Sequence, residues 1–158
     1  MSCWKDGSPD SPLLVVGMAP GREELVADRP FVGASGKLLW ALAKRAGIDR
    51  SDCYILNTIG DWPDGADGNP TKAQYDAWWD RFTDALSEFR GTTALLLGGA
   101  ALWRITGLSG GIDAWRGYLV RPSECQPLER HKLINIPYKT GNKSKGRKAG
   151  DPRWVRVA

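Results

Sequence analysis

The sequence predicts an α/β fold, a three-layer sandwich with a central, mostly parallel four-stranded sheet. Three observations predict it. Four short apolar runs have the length and composition of buried strands. Segments with helical spacing lie between them. The chain has 158 residues, 42% hydrophobic and 25% charged, ordinary globular usage that leaves little room for a second domain. Residues 1–158 are therefore expected to form one domain, with residues 139–158 as its basic C-terminal segment.

Each element has its own signal. Leu13 to Gly17 (LLVVG) is an apolar run closed by Gly, a first strand. Residues 18–34 contain Pro20, Gly21, Pro30 and Gly33 and predict a long loop. Ser35 is the expected N-cap of a helix to about Arg45, with Leu38, Leu39 and Leu42 on one face. Cys53 to Asn57 (CYILN) is the second strand, and Asp61 to Pro70 (DWPDGADGNP) is a turn-rich loop. Thr71 and Gln74 have capping-box spacing, and Tyr75, Trp78, Trp79, Phe82, Leu86 and Phe89 follow as the core face of one helix. Asp76, Asp80, Asp84 and Glu88 fall off that face, toward solvent. Thr93 to Leu97 is the third strand, and it enters Gly98, Gly99 and a short helix from Ala100 to Ile105. Lys132 to Ile136 is the fourth.

Charge is unevenly placed. Residues 130–158 hold nine Lys/Arg and one acid, a balance of +8, whereas the other 129 residues carry 13 basic and 17 acidic side chains, a balance of −4. A mildly acidic body with a basic end suits a polyanionic partner. No apolar run approaches the roughly 18 residues of a membrane span. The opening MSCWKDGSPDSP has no apolar signal core, which predicts a cytoplasmic protein without a membrane partner. Cys3, Cys53 and Cys125 show no metal spacing and an odd count, against a disulfide framework.

Ligands of such a sheet bind beyond the carboxyl ends of its strands. That edge would carry Gly17-Met18-Ala19-Pro20-Gly21, Asn57, Gly98-Gly99 and Pro137-Tyr138-Lys139. Gly17 and Gly21 permit close backbone approach, Asn57 offers both a donor and an acceptor, and Phe31 is an aromatic within a loop. Together they describe a pocket for a flat, polar ring with a cationic rim.

The segment GMAPGREELVADRPFVGASGKLL, Gly17 to Leu39, resembles the first motif of the uracil-DNA glycosylase superfamily. It is most similar to the family-4 pattern GEAPGxxEDxxGxPFVGxxGxLL, without a gap. CYILN is similar to the family's YITN strand, LLLGGAALWRITG to its LGxxAxxxLxG, and IDAWRGYLV to the RGxxx segment before the last strand. The resemblance covers residues 13 to about 138. It implies an enzyme that flips a nucleotide out of DNA and hydrolyses the N-glycosidic bond of uracil or another modified base. Phe31 would stack on the base and Asn57 would read its edge. The backbone from Met18 to Gly21 would floor the pocket, and Pro20, Ser35, Gly98 and Gly99 would approach phosphates.

The departures point elsewhere for catalysis. Met18 stands where family 4 has a water-activating carboxylate, and Ala19 where other families have Asn. The His-Pro-Ser motif after the last strand is replaced by Ile136-Pro137-Tyr138-Lys139; His131 precedes that strand and reads as a surface residue. Glu23, Glu24 and Asp28 are the replacement carboxylates, Glu24 preferred over Asp28 because it aligns with the family's second acidic cluster. Lys139, with Asn142 or Lys143 able to share the role, would stabilise the departing base. Family 4 holds an iron–sulfur cluster on four cysteines, and this chain has three. No cluster, metal or other cofactor is expected. Tyr138, Lys143, Lys145 and Arg147 belong to a run that would bind DNA, single- or double-stranded, as a monomer. Two other classes remain open: an inert DNA-binding module of the same fold, and an enzyme acting on free modified nucleosides or nucleotides.

Overall fold

The computed structural model describes residues 3–107. The predicted strand Lys132 to Ile136 and the tail residues Tyr138, Lys139, Lys143, Lys145 and Arg147 lie outside them. A boundary between two units falls after Leu97, and the first unit carries the sheet.

That sheet has four strands in the order β1-β3-β2-β4. Strands β2 (Leu13–Gly17), β3 (Cys53–Asn57) and β4 (Thr93–Leu96) match the sequence expectation within one residue. β2 pairs parallel with both β3 and β4. The fourth member is an addition: β1 (Lys5–Asp6) pairs antiparallel with β3, Lys5 opposite Leu56 and Asp6 opposite Ile55. Two polar residues carry no apolar pattern, so this edge strand left no signal.

Alternate strand residues serve opposite layers. Val15, Cys53 and Ile55 form one buried cluster, joined by Leu13, Leu95 and Leu97 and by Leu39 and Trp40 of helix α2 (Ala34–Arg45). Leu14, Val16, Tyr54 and Leu56 are buried on the other face. There Tyr54 donates its hydroxyl to the carbonyl of Ala85 in α4 (Trp79–Glu88), at 3.2 Å. Strands buried on both faces explain the continuous apolar runs.

The helices differ from expectation in three places. α2 is capped by Gly33, not Ser35, and Ser35 lies within its first turn. Its inward face is Gly36, Leu39 and Trp40, while Leu38 and Leu42 are 62% and 52% exposed. Residues 18–34 are not a continuous loop: α1 (Arg22–Ala27) forms because the Glu24 carboxylate accepts from the Gly21 N–H at 3.0 Å. The helix expected through Phe89 is two helices. α3 (Lys72–Ala77) opens with the expected capping box, Thr71 Oγ1 accepting from Gln74 N and Gln74 Oε1 accepting from Thr71 N. It ends at Trp78, whose indole packs over Gly60 and donates to Asp61 at 2.6 Å. The core face of the pair is otherwise as expected, with Trp78, Trp79 and Phe82 buried.

Beyond the boundary, α5 (Gly98–Thr106) starts two residues earlier than predicted, with Gly98 at φ +85°. Among the described residues no helix is long and apolar enough to cross a membrane.

Candidate active site

The parallel register of β2 and β3 places Gly17 opposite Asn57 at the carboxyl edge of the sheet. The two chains continue side by side beyond it: Thr58 N–H donates to Gly17 O at 3.0 Å, and Met18 O accepts from Thr58 Oγ1 at 2.6 Å. A Cβ on Gly17 would collide with the Phe31 ring and with the Asn57 amide oxygen. Glycine is needed there because those two side chains converge on its Cα. Asn57 is only 2% exposed, and among the described residues its amide makes no hydrogen bond. Its side chain lines the cleft, where a ligand's polar edge can pair with it.

Phe31 owes its position to its backbone. It adopts φ +53°, a left-handed conformation that costs a non-glycine residue about 1–3 kcal/mol. Several contacts hold it there. The Phe31 carbonyl accepts from Trp40 Nε1 at 2.9 Å and Arg50 Nη1 at 3.2 Å, and the Pro30 carbonyl accepts from Arg50 Nη2 at 2.7 Å. Arg50 also donates from Nη2 to Asp6 Oδ2 at 2.6 Å, and its guanidinium lies 4.8 Å over the Trp40 ring. Trp40 meets Phe31 edge to face, centroids 6.5 Å apart. Burial pushes the Asp6 carboxyl up, but hydrogen bonds and charge from Arg50 and Arg29 outweigh it and hold Asp6 below its ordinary value. Gly36 completes the seat, since a Cβ there would strike the Phe31 carbonyl.

Glu24 ties the loop at its other end. It is 9% exposed, and both its oxygens are in use. Oε2 accepts from Gly21 N at 3.0 Å, and Oε1 accepts from Val32 N at 3.0 Å and Gly33 N at 2.7 Å. One carboxylate thus fixes the turn before α1 and the turn before α2.

Between these elements lies a cleft of about 360 Å³. Of the residues singled out by sequence, Ala19, Gly21, Glu23, Glu24, Phe31, Ser35 and Asn57 line it. Gly17 lies beneath the Phe31 ring, Met18 faces Thr58 through its carbonyl, and Pro20 is fully buried. Asp28 is not part of the lining. It caps α1 in the left-handed region, and its Oδ1 accepts from Cys3 N at 3.0 Å. Gly98 and Gly99 open α5 in the second unit. Arg50 and Arg22, the second of which lines the cleft, were not singled out by sequence. Arg50 stands beside a strand rather than in a motif loop, and only its contacts reveal it.

The described residues do not fit an iron–sulfur cluster. Cys3 and Cys53 are both buried thiols, held respectively to the Gly60 and Asp49 carbonyls at 3.4 Å. Burial pushes both up from their ordinary value, away from the thiolate that a cluster needs. Among the described residues no three Cys, His, Asp or Glu side chains gather to hold a metal.

A family model described as the uracil DNA glycosylase superfamily matches residues 4–140. The chain is similar to the Type-4 uracil-DNA glycosylase of Archaeoglobus fulgidus, 34% identical over 92 residues, which is 58% of this chain and 46% of that protein. It is 44% identical over 54 residues to the Type-4 uracil-DNA glycosylase of Thermotoga maritima, 34% of this chain and 28% of that protein. The Pyrobaculum aerophilum protein of the same description is 47% identical over 47 residues, 30% and 24% of the two chains. The chain spans less than half the length of these curated relatives.

Proposed function

We propose, for a chain that belongs to the uracil-DNA glycosylase superfamily, that it is a cluster-free DNA glycosylase. It takes uracil or another modified base out of DNA into the cleft and hydrolyses its N-glycosidic bond. One observation carries this reading: the Asn57 amide lines the cleft beside an aromatic ring whose strained backbone is clamped at the cleft wall. Stacking on Phe31 and pairing with Asn57 suit a planar base edge. They offset the few kcal/mol that leaving the helix stack costs.

In this reading the remaining groups take the following roles. The bond from the sugar C1′ to the base nitrogen breaks with its electron pair leaving on the base, and water adds to C1′ and loses a proton. Glu23 is the carboxylate suited to take that proton, since it lines the cleft and is exposed, with no hydrogen bond among the described residues. Glu24, committed to three N–H groups, keeps the loop in place and puts negative charge near a developing sugar cation. Asp28 is the weaker candidate, because its carboxylate is engaged at Cys3. Lys139 would stabilise the leaving base anion. Ser35 at the α2 N-terminus, Gly98-Gly99, and Tyr138, Lys143, Lys145 and Arg147 would meet the DNA backbone or flanking bases.

The test is direct. Labelled single- and double-stranded oligonucleotides carrying uracil, hypoxanthine or hydroxymethyl pyrimidines are incubated with the protein, then treated with alkali. Strand breaks that disappear in the Asn57→Ala and Glu23→Gln proteins are expected. Salt-sensitive binding with no abasic product on any substrate would leave an inert DNA-binding module, a reading that Met18 favours. Affinity for DNA that stays absent at low salt would favour an enzyme of free nucleosides.

A further inference from the structure

One exposed aromatic ring lies beside Arg22, a residue of the cleft lining. Trp62 is 45% exposed, whereas the other tryptophans among the described residues are buried or half-buried. Its exposure is not the looseness of a free loop. The Trp62 carbonyl accepts from Gln74 Nε2 at 2.7 Å, and the same Gln74 accepts from the Asp64 and Thr71 N–H groups at 3.0 and 3.1 Å. On the other side, Asp61 accepts from Trp78 Nε1 at 2.6 Å. The backbone is therefore anchored before and after the ring. Arg22, which lines the cleft, carries its guanidinium 5.5 Å from the Trp62 centroid. The ring is thus continuous with the cleft through a single cation.

We propose that Trp62 and Arg22 form a stacking platform for an unpaired base next to the flipped nucleotide. The inference rests on the glycosylase reading and extends it to single-stranded DNA. A held indole face gives a neighbouring base a partner in place of the one lost when the strand unstacks. It demands no particular base, because every base has a π-face. Arg22 stiffens the ring from one side and supplies positive charge for the intervening phosphate. Asp64 and Asp67 in the same loop disfavour phosphates there, so a neutral base rather than the backbone suits the platform.

The experiment uses the full chain and three single-stranded oligonucleotides with a tetrahydrofuran abasic analogue at the target position. One has thymines on both sides; in each of the others one flanking thymine is replaced by the same analogue. Trp62→Ala is expected to weaken the fully flanked oligonucleotide about ten-fold, within the range for one stacked base. Trp62→Phe is expected to recover most of that loss. The effect should disappear with one of the two singly stripped oligonucleotides, which identifies the flank that stacks. Equal affinity of wild type and Trp62→Ala on the flanked oligonucleotide would overturn the proposal. So would an equal loss on all three, since Trp62 would then act without a flanking base. A thermal melt of Trp62→Ala matching wild type separates either result from misfolding. Failure of the glycosylase reading would show independently, on uracil-containing oligonucleotides, as absence of abasic product and indifference of binding to Phe31→Ala.

Discussion

Arg50 shapes the cleft without lining it. Its guanidinium joins two carbonyls of the Pro30–Phe31 turn, the Asp6 carboxylate and the Trp40 ring. Lysine can match its charge but not its planar fork. Without Arg50 the Phe31 backbone can relax, recovering about 1–3 kcal/mol that base binding must then supply again. Arg50→Ala should accordingly weaken binding of the modified base by about 5- to 150-fold, with Arg50→Lys in between. Titrating uracil-containing oligonucleotide against both variants measures it, and wild-type affinity in Arg50→Ala would contradict the clamp. The two adjacent glutamates should separate in the same way. Glu24→Gln replaces one of two acceptor oxygens with a donor facing a backbone N–H, so it should destabilise the fold by about 1–3 kcal/mol. Glu23→Gln should leave the thermal midpoint in place and slow base release. A Glu23→Gln protein that turns over normally would remove Glu23 from the chemistry.

At the scale of elements, contact outweighs propensity. Alanine is better than glycine inside a helix by about 1 kcal/mol, so propensity alone says that Gly36→Ala stabilises α2. The methyl would strike the Phe31 carbonyl, and overpacking of that kind costs about 1–3 kcal/mol. The expected result is a lower thermal midpoint and weaker base binding together; a more stable variant with unchanged binding would show that the turn can yield. The same contest explains what could be read in advance. β2, β3 and β4 were legible because strands buried on both faces are apolar throughout, and the Thr71–Gln74 capping box because it is local. The break at Trp78 was not legible, since it arises from Gly60 and Asp61, far off in sequence. α1 was hidden among glycines and prolines, and its Glu24 cap reaches forward to Val32 and Gly33. Gly17, Phe31 and Asn57 were readable as a group from their motif, whereas Asp6, Trp40 and Arg50, which set the Phe31 backbone, carry no motif at all.

For the whole molecule, charge decides where the fold is stable and, under the proposed function, how it would meet DNA. Asp6 titrates below its ordinary value, so its contribution is complete above the usual aspartate range near pH 4 and is lost as pH falls through the lower folded value. On the alkaline side, burial pushes the Tyr54 hydroxyl up. Burial alone would lower Lys5, but hydrogen bonds to Glu88 and Tyr54 raise it. Cys3 and Cys53, also raised by burial, lose their contribution first, as pH climbs past about 8.5, and Tyr54 and Lys5 follow past about 10. The thermal midpoint should therefore be flat from about pH 5 to 8 and fall on both flanks, and Asp6→Asn should make the acid flank shallower without moving the alkaline one. The proposed affinity for DNA would follow a different charge set. The body, residues 1–129, carries −4 and repels a polyanion, so attraction depends on the +8 of residues 130–158. Each phosphate neutralised on a single strand contributes about 0.7 to the slope of log K against log salt. If Lys143, Lys145 and Arg147 each meet one phosphate, replacing all three by Ala should reduce that slope by about 2. Binding of free uracil should not change on the same premise, that those residues meet backbone rather than base. A slope that stays the same in the triple variant would mean that the basic end is solvated and that DNA is held by the body of the protein instead.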